Sequence, residues 1–290
     1  MTRSLDFGVI PAIAAVIVAC SAMPVRAQSD VHVPRSETSV ATPSGPEANL
    51  TVPLDLLAAM AQPAGPPPTP RHTGLKAMAV GFVIDFKYLP SRENVLWAVA
   101  GGGMALAVHP VDDDVNLALV GNAAAERFFK AGAVLGQLPT LLGSAAVVYA
   151  VGRFGDEPKV SHVGMDLIQS LAMAEVLTQT LKYITRRERP DHSDRNSFPS
   201  GHAADTFAFA TALERHLGWR YAVPAYTFAS YVAISRVPAD RHWLSDAVFG
   251  SVVGIIAGRT VTGHEAAPFP VAVTVLPGGV AVVYSHRGKE

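Results

Sequence analysis

Residues 182–202 read KYITRRERPDHSDRNSFPSGH, a dense polar passage set between two apolar segments of helical length, Val160 to Thr185 and His202 to Leu217. Pro190 breaks the chain between them. A shorter polar cluster follows: Ser235-Arg236, five residues, His242, three residues, Asp246. It too lies among apolar helix-like runs, Tyr221 to Ser235 and Arg241 to Val261. Polar clusters punctuating long apolar helices place the chain in the all-α class. The same pattern continues upstream, with helices expected at Val95 to Val108, Val115 to Lys130 and Ala131 to Gly152.

The clusters hold three cations, two histidines, one carboxylate and a glycine-bearing turn. Phosphoryl transfer needs such a set, because its catalysis is positioning plus neutralisation of charge on the equatorial oxygens. Lys182, Arg189 and Arg236 supply the neutralising charge, and the two guanidinium groups can grip oxygens in pairs. Ser200 is suited to cap the helix that follows, which would turn the amides of Ser200, Gly201 and His202 toward an anion. His242 and Asp246 are four residues apart, so on a helix they would share one face, with the carboxylate holding the imidazole Nδ1 proton. That arrangement favours His242 as nucleophile and leaves His202 as the general acid for the leaving oxygen.

Taken together, in this order and spacing, the clusters resemble the signature of the type 2 phosphatidic acid phosphatase and vanadium-dependent haloperoxidase superfamily. The resemblance implies a helical bundle of that type, with a short β-hairpin following it here. It also implies that Lys182, Arg189, Ser200, Gly201 and Arg236 bind phosphate. By the same resemblance His202 protonates the leaving group, His242 becomes a phosphohistidine and Asp246 orients it. Only eight residues, Asp191 to Phe198, separate the first two clusters, which favours the phosphatase branch. A vanadate-dependent haloperoxidase using the same pocket is the alternative. The substrate expected is a phosphomonoester, lipid phosphate or diphosphate, with no cofactor.

Residues 1–27 read as an export signal, with Arg3, an apolar run from Phe7 to Ala19 and the small-residue site Val25-Arg26-Ala27. The competing reading is a lipoprotein signal ending before Cys20, the single cysteine of the chain. Residues 28–73, rich in Pro, Ser, Thr and Ala, read as a disordered linker. A short helix at Leu54 to Ala61 fits within this linker, and Asn49-Leu50-Thr51 is a formal glycosylation sequon. The helical domain is expected over 74–262. Residues 263–290 form a tail in which two β-branched runs flank Leu276-Pro277-Gly278-Gly279, the pattern of a hairpin.

Other classes find little support. The net charge is −1 with no basic stripe, which argues against nucleic acid. Asp112-Asp113-Asp114 lacks the glycine and terminal glutamate of a calcium loop and reads as a solvated turn. His109, His162 and His216 lack ligand spacing in the sequence, so no metal site is expected. Gly101-Gly102-Gly103 suits close helix packing. Hydrophobic residues make up 49% of the chain. An exported protein of the periplasm or cell envelope is therefore expected, soluble or membrane-associated. Asp166, Gln169, Glu175, Asp205 and Glu214 inside the helices weigh against the integral alternative, whose active site would face the periplasm. The sequence does not specify an oligomeric state.

Overall fold

Side-chain caps mark the start of some helices. In the computed structural model, which describes residues 66–263 and the backbone of 271–276 and 279–284, α1 (Leu75–Asp85) precedes α2 (Arg92–Val108). The Ser91 side chain accepts the Asn94 amide at the start of α2. A 3-10 turn at His109–Val111 leads into α3 (Asp112–Leu119). The single helix expected at Val115 to Lys130 is broken here, because Gly121 takes φ +73° and Asn122 restarts the chain by accepting the Ala124 and Ala125 amides. Helix α4 (Ala123–Leu135) and α5 (Leu138–Phe154) then meet at a 47° bend around Gly136 and Gln137. The helix expected across Ala131 to Gly152 is therefore two.

The remaining helices are α6 (Pro158–Thr185), α7 (Gly201–Leu217), α8 (Trp219–Ser235) and α9 (Leu244–Thr262). The all-α bundle is borne out, with α1 as a helix the sequence reading did not pick out. Helices α7 and α9 form its centre and touch along small residues at i, i+4 and i+8. A Cβ on Gly250 would sit 2.5 Å from the Ser200 carbonyl oxygen, on Gly254 2.2 Å from that of Ala204, and on Gly258 2.6 Å from Thr211 Cβ. No larger side chain fits this seam. Gly101 likewise lets α2 close on Val252 of α9, where a Cβ would sit 2.7 Å from Val252 Cγ1. Around the seam Phe207, Leu167, Leu171, Met173, Val232 and Val252 are fully buried. Their burial, at roughly 1.5–3 kcal/mol for each large side chain, holds the bundle together.

Strands β1 (Val271–Leu276) and β2 (Gly279–Tyr284) pair antiparallel, Val271 opposite Tyr284 and Leu276 opposite Gly279. Residues 277–278 lie outside the described residues, as do the export signal, Cys20, Asn49, Leu54 to Ala61 and most of the linker.

Candidate active site

Lys182 lies in the last turn of α6, which ends when Arg186 adopts a left-handed conformation at φ 47°. From there residues 187–200 cross to α7 as a pinned loop. The Ser197 amide donates to the Arg187 carbonyl at 3.0 Å, and Arg189 pairs with Asp194 through both its amide and, at 2.8 Å, its Nε. Lys182 Nζ donates to the Asn196 carbonyl at 2.5 Å, drawing the lysine toward the loop. The Phe198–Pro199 peptide is cis. At the end of the loop the Ser200 amide donates to the Asp246 carbonyl at 3.0 Å, which ties the start of α7 to the first turn of α9.

Ser200 occupies the N-cap position, but its hydroxyl caps nothing. It is buried and has no hydrogen-bond partner among the described residues. The N-terminal turn of α7 therefore keeps its amides free of a side-chain cap, as an anion site requires. Arg236 closes α8 at its C-terminus and is largely buried.

His242 lies before α9 rather than on it, since Trp243 is the N-cap and Asp246 the third residue of that helix. The direct bond expected between His242 and Asp246 is replaced by a relay. Nδ1 of His242 meets the Ser197 carbonyl at 2.6 Å; because a carbonyl only accepts, this nitrogen carries the proton and Nε2 is left with its lone pair. Asp246 Oδ2 stands 3.8 Å from Nδ1, too far for a hydrogen bond. That oxygen instead accepts from Ser197 Oγ at 2.5 Å and from the Trp243 amide at 3.0 Å. Asp246 thus holds both the residue whose carbonyl orients His242 and the start of the helix behind it.

Five basic groups face one another here. Burial first, then Arg189, bring Lys182 down to about 8. Burial and then Arg189 bring Arg236 down to about 10. His202 is pulled to about 4 by burial, Arg236 and His242, although Ala133 accepts a bond from it. Burial also lowers His242, against the opposing pull of Asp246, with Lys182 and Arg236 adding to the fall. Such a cluster of basic groups, whose protonated forms repel one another, is held together by the fold and relieved by an anion. The structure thus brings together Lys182, Arg189, Ser200, Gly201, His202, Arg236 and His242, with Asp246 directly behind them.

Two residues that sequence reasoning passed over complete the surroundings. Arg187 bridges two buried carboxylates, donating to Asp246 Oδ1 at 2.6 Å and to Asp112 Oδ2 at 2.8 Å, and also to Ser245 Oγ at 2.7 Å. Its guanidinium carbon lies 5.5 Å from the centre of the Trp243 ring. Asp112 is not the solvated turn expected: it is buried and accepts from the Ser245 amide and hydroxyl at 2.9 and 2.5 Å. These residues border a surface cleft of about 280 Å³ lined also by His109, Asp113, Glu188 and Trp243. Arg187 was in view within the first cluster, but nothing in the sequence couples it to a carboxylate 75 residues away.

Residues 163–263 match the family described as the PAP2 superfamily. A lipid A 1-phosphatase of Porphyromonas gingivalis is 48% identical over 81 residues, which is 27% of this chain and 18% of that protein. The chain thus spans under a fifth of the length of that curated relative. Among solved structures, the transmembrane PAP2-type phosphatidylglycerolphosphate phosphatase of Bacillus subtilis is 22% identical, covering 66% of this chain and 96% of that one, with a TM-score of 0.49. Aquifex aeolicus LpxE is 23% identical, covering 52% and 92%, with a TM-score of 0.44. The matched stretch includes every candidate catalytic and phosphate-binding residue, from Lys182 to Asp246.

Proposed function

We propose that the protein is a phosphatase acting on the phosphate of a membrane lipid through a phosphohistidine intermediate. The observation that carries this reading is the convergence of Lys182, Arg189, His202 and Arg236 on a neutral His242 whose Nε2 is freed by the Ser197 carbonyl. Lys182, Arg189 and Arg236 hold the non-bridging oxygens, and Nε2 of His242 attacks phosphorus in line. The bond to the leaving oxygen breaks as His202, protonated once the dianion has relieved its neighbours, gives that oxygen its proton. Neutral His202 then takes a proton from water. The hydroxide so formed attacks phosphorus, releasing phosphate and restoring both histidines. Lipid rather than soluble substrate is favoured by the similarity to a lipid A 1-phosphatase and by the apolar surface of the outer helices. The same surface supports the integral membrane alternative, with export as its companion expectation.

Rapid quench with a radiolabelled lipid phosphate tests the covalent step. Acid-labile, alkali-stable label is expected on His242, and His242→Ala should lose both label and turnover. Label on Ser200, or appreciable turnover by His242→Ala, would overturn the assignment.

A further inference from the structure

His162, Asp166 and His216 come together in the bundle although nothing in the catalytic scheme uses them. His162 and Asp166 lie one turn apart on α6, and His216 arrives from the last turn of α7. Both imidazoles aim Nε2 at the same carboxylate oxygen: His162 at 3.3 Å and His216 at 2.9 Å from Asp166 Oδ2. The rings are perpendicular, 89° apart, with centroids separated by 4.8 Å. Along the helix axes this knot is roughly 20–30 Å from Lys182 and His202, at the far end of α6 and α7.

We propose that this knot is a binding site for a divalent transition metal of the zinc class, clamping α6 to α7. The donor set is two imidazole nitrogens and one carboxylate, which suits zinc and its neighbours and not the oxygen-seeking calcium or magnesium. In a tetrahedral site with bonds of ~2.05 Å the donors stand ~3.3 Å apart. The nitrogen and oxygen atoms here all lie within 4.8 Å of one another, so small rotamer shifts bring them onto one ion. A second observation points the same way. Asp166 is wholly buried, and its Oδ1 finds no hydrogen-bond partner among the described residues, leaving an oxygen for a ligand to take.

The sequence expectation of no metal rested on the absence of ligand spacing. The i, i+4 pair His162 and Asp166 was legible as a helical half-site. The third ligand, 50 residues further on, becomes a neighbour only through the packing of α7 on α6.

The test uses the full chain in detergent, with any purification tag removed and metals stripped by chelation. Zn2+ is titrated by calorimetry, and Co2+ by its visible d–d absorption. One Zn2+ per chain is expected, with a tetrahedral Co2+ spectrum and a rise in Tm on Zn2+ addition. His216→Gln should weaken binding roughly a hundredfold or more and abolish the Tm rise, since even the loss of an outer-shell partner costs ~10–100-fold. His202→Gln should leave binding intact, which separates this site from the phosphate pocket. Zinc-edge absorption on the unmodified protein should show two imidazoles in the first sphere, a readout that needs no variant to fold. Binding that is absent, that survives His216→Gln, or that is lost in His202→Gln would each overturn the proposal, leaving the cluster a hydrogen-bonded core.

Discussion

At the scale of single residues, the arrangement gives Arg187 a positioning role and His202 a ligand-dependent charge. Arg187 stands apart from Nε2 of His242 and from the candidate phosphate-binding side chains, yet it is the cation shared by Asp112 and Asp246. Removing it leaves two buried carboxylates uncompensated beneath the loop that orients His242. Arg187→Ala is therefore expected to lower kcat by roughly ten- to a hundredfold with little change in KM, the usual scale for an orienting partner. Arg187→Lys should recover only part of the loss, because an ammonium cannot fork between two carboxylates. Steady-state kinetics well below Tm would check this, and a loss confined to KM would contradict it. His202 offers a pH test. Its pKa of about 4 in the anion-free site reflects burial, Arg236 and His242, so at neutral pH it carries no charge. A bound dianion offsets those cations and raises the bound-state pKa, so binding must take up a proton between the two values. The sign follows: affinity rises as pH falls through the bound-state pKa and levels off near the free value of about 4. Calorimetry of phosphate binding in buffers of differing ionisation enthalpy should show greater proton uptake by the wild type than by His202→Gln. Equal uptake would remove His202 from the role.

At the scale of elements, what the sequence made legible was chemistry carried by short spacing, and what it hid was contact between distant segments. Lys182, Arg189, Ser200, Gly201, His202 and Arg236 stood out as candidates because anion binding draws on cations and on the start of a helix. The four-residue spacing of His242 and Asp246 predicted their nearness but not their geometry, because the start of α9 was set too early. An acid at the third helical position is itself a cap signal, since Asp246 accepts the Trp243 amide. Reading it so would have left His242 in the preceding turn. Helix breaks at Gly121 and Gly136 were missed for a similar reason: apolar periodicity continues across them, and only the backbone shows the interruption. The network of Asp112, Arg187 and Ser245 had no local signal at all, being built by the approach of α3 to the start of α9. The glycines of α9 form an i, i+4, i+8 pattern visible in the sequence, yet their meaning, a seam against α7, depends on which helix lies opposite.

At the scale of the whole molecule, the distribution of polarity reverses the argument that internal charges drew against a bilayer. Asp166, Gln169 and Asp205 are buried in the bundle, with Asp166 bonded to His162 and His216 and Gln169 donating to the Met78 carbonyl. Inward-facing polar groups are what a membrane bundle tolerates. Outward, α2 and α5 present Val99 at 68% exposure, Leu106 at 73% and Phe154 at 89%. Two segments, Arg92–Leu119 and Leu244–Thr262, are long and apolar enough to cross a membrane, and the bent pair α4 and α5 adds a third. The apolar window of the first is only 28% buried by the protein and that of the last 89%, so α9 is the inner element and α2 an outer one with its apolar face uncovered. In water that face would be an exposed apolar patch of the kind that drives association; in lipid it needs no cover. The chain is expected to remain in the membrane fraction after carbonate and to require detergent for release. Single cysteines on a Cys20→Ser background refine the prediction. Val99→Cys should be shielded from a membrane-impermeant maleimide in proteoliposomes and react once detergent is added, whereas Arg195→Cys, exposed on the loop beside the site, should label in sealed vesicles from that face alone. Release by carbonate, or equal labelling of both positions before detergent, would show that the apolar belt is covered by something other than lipid.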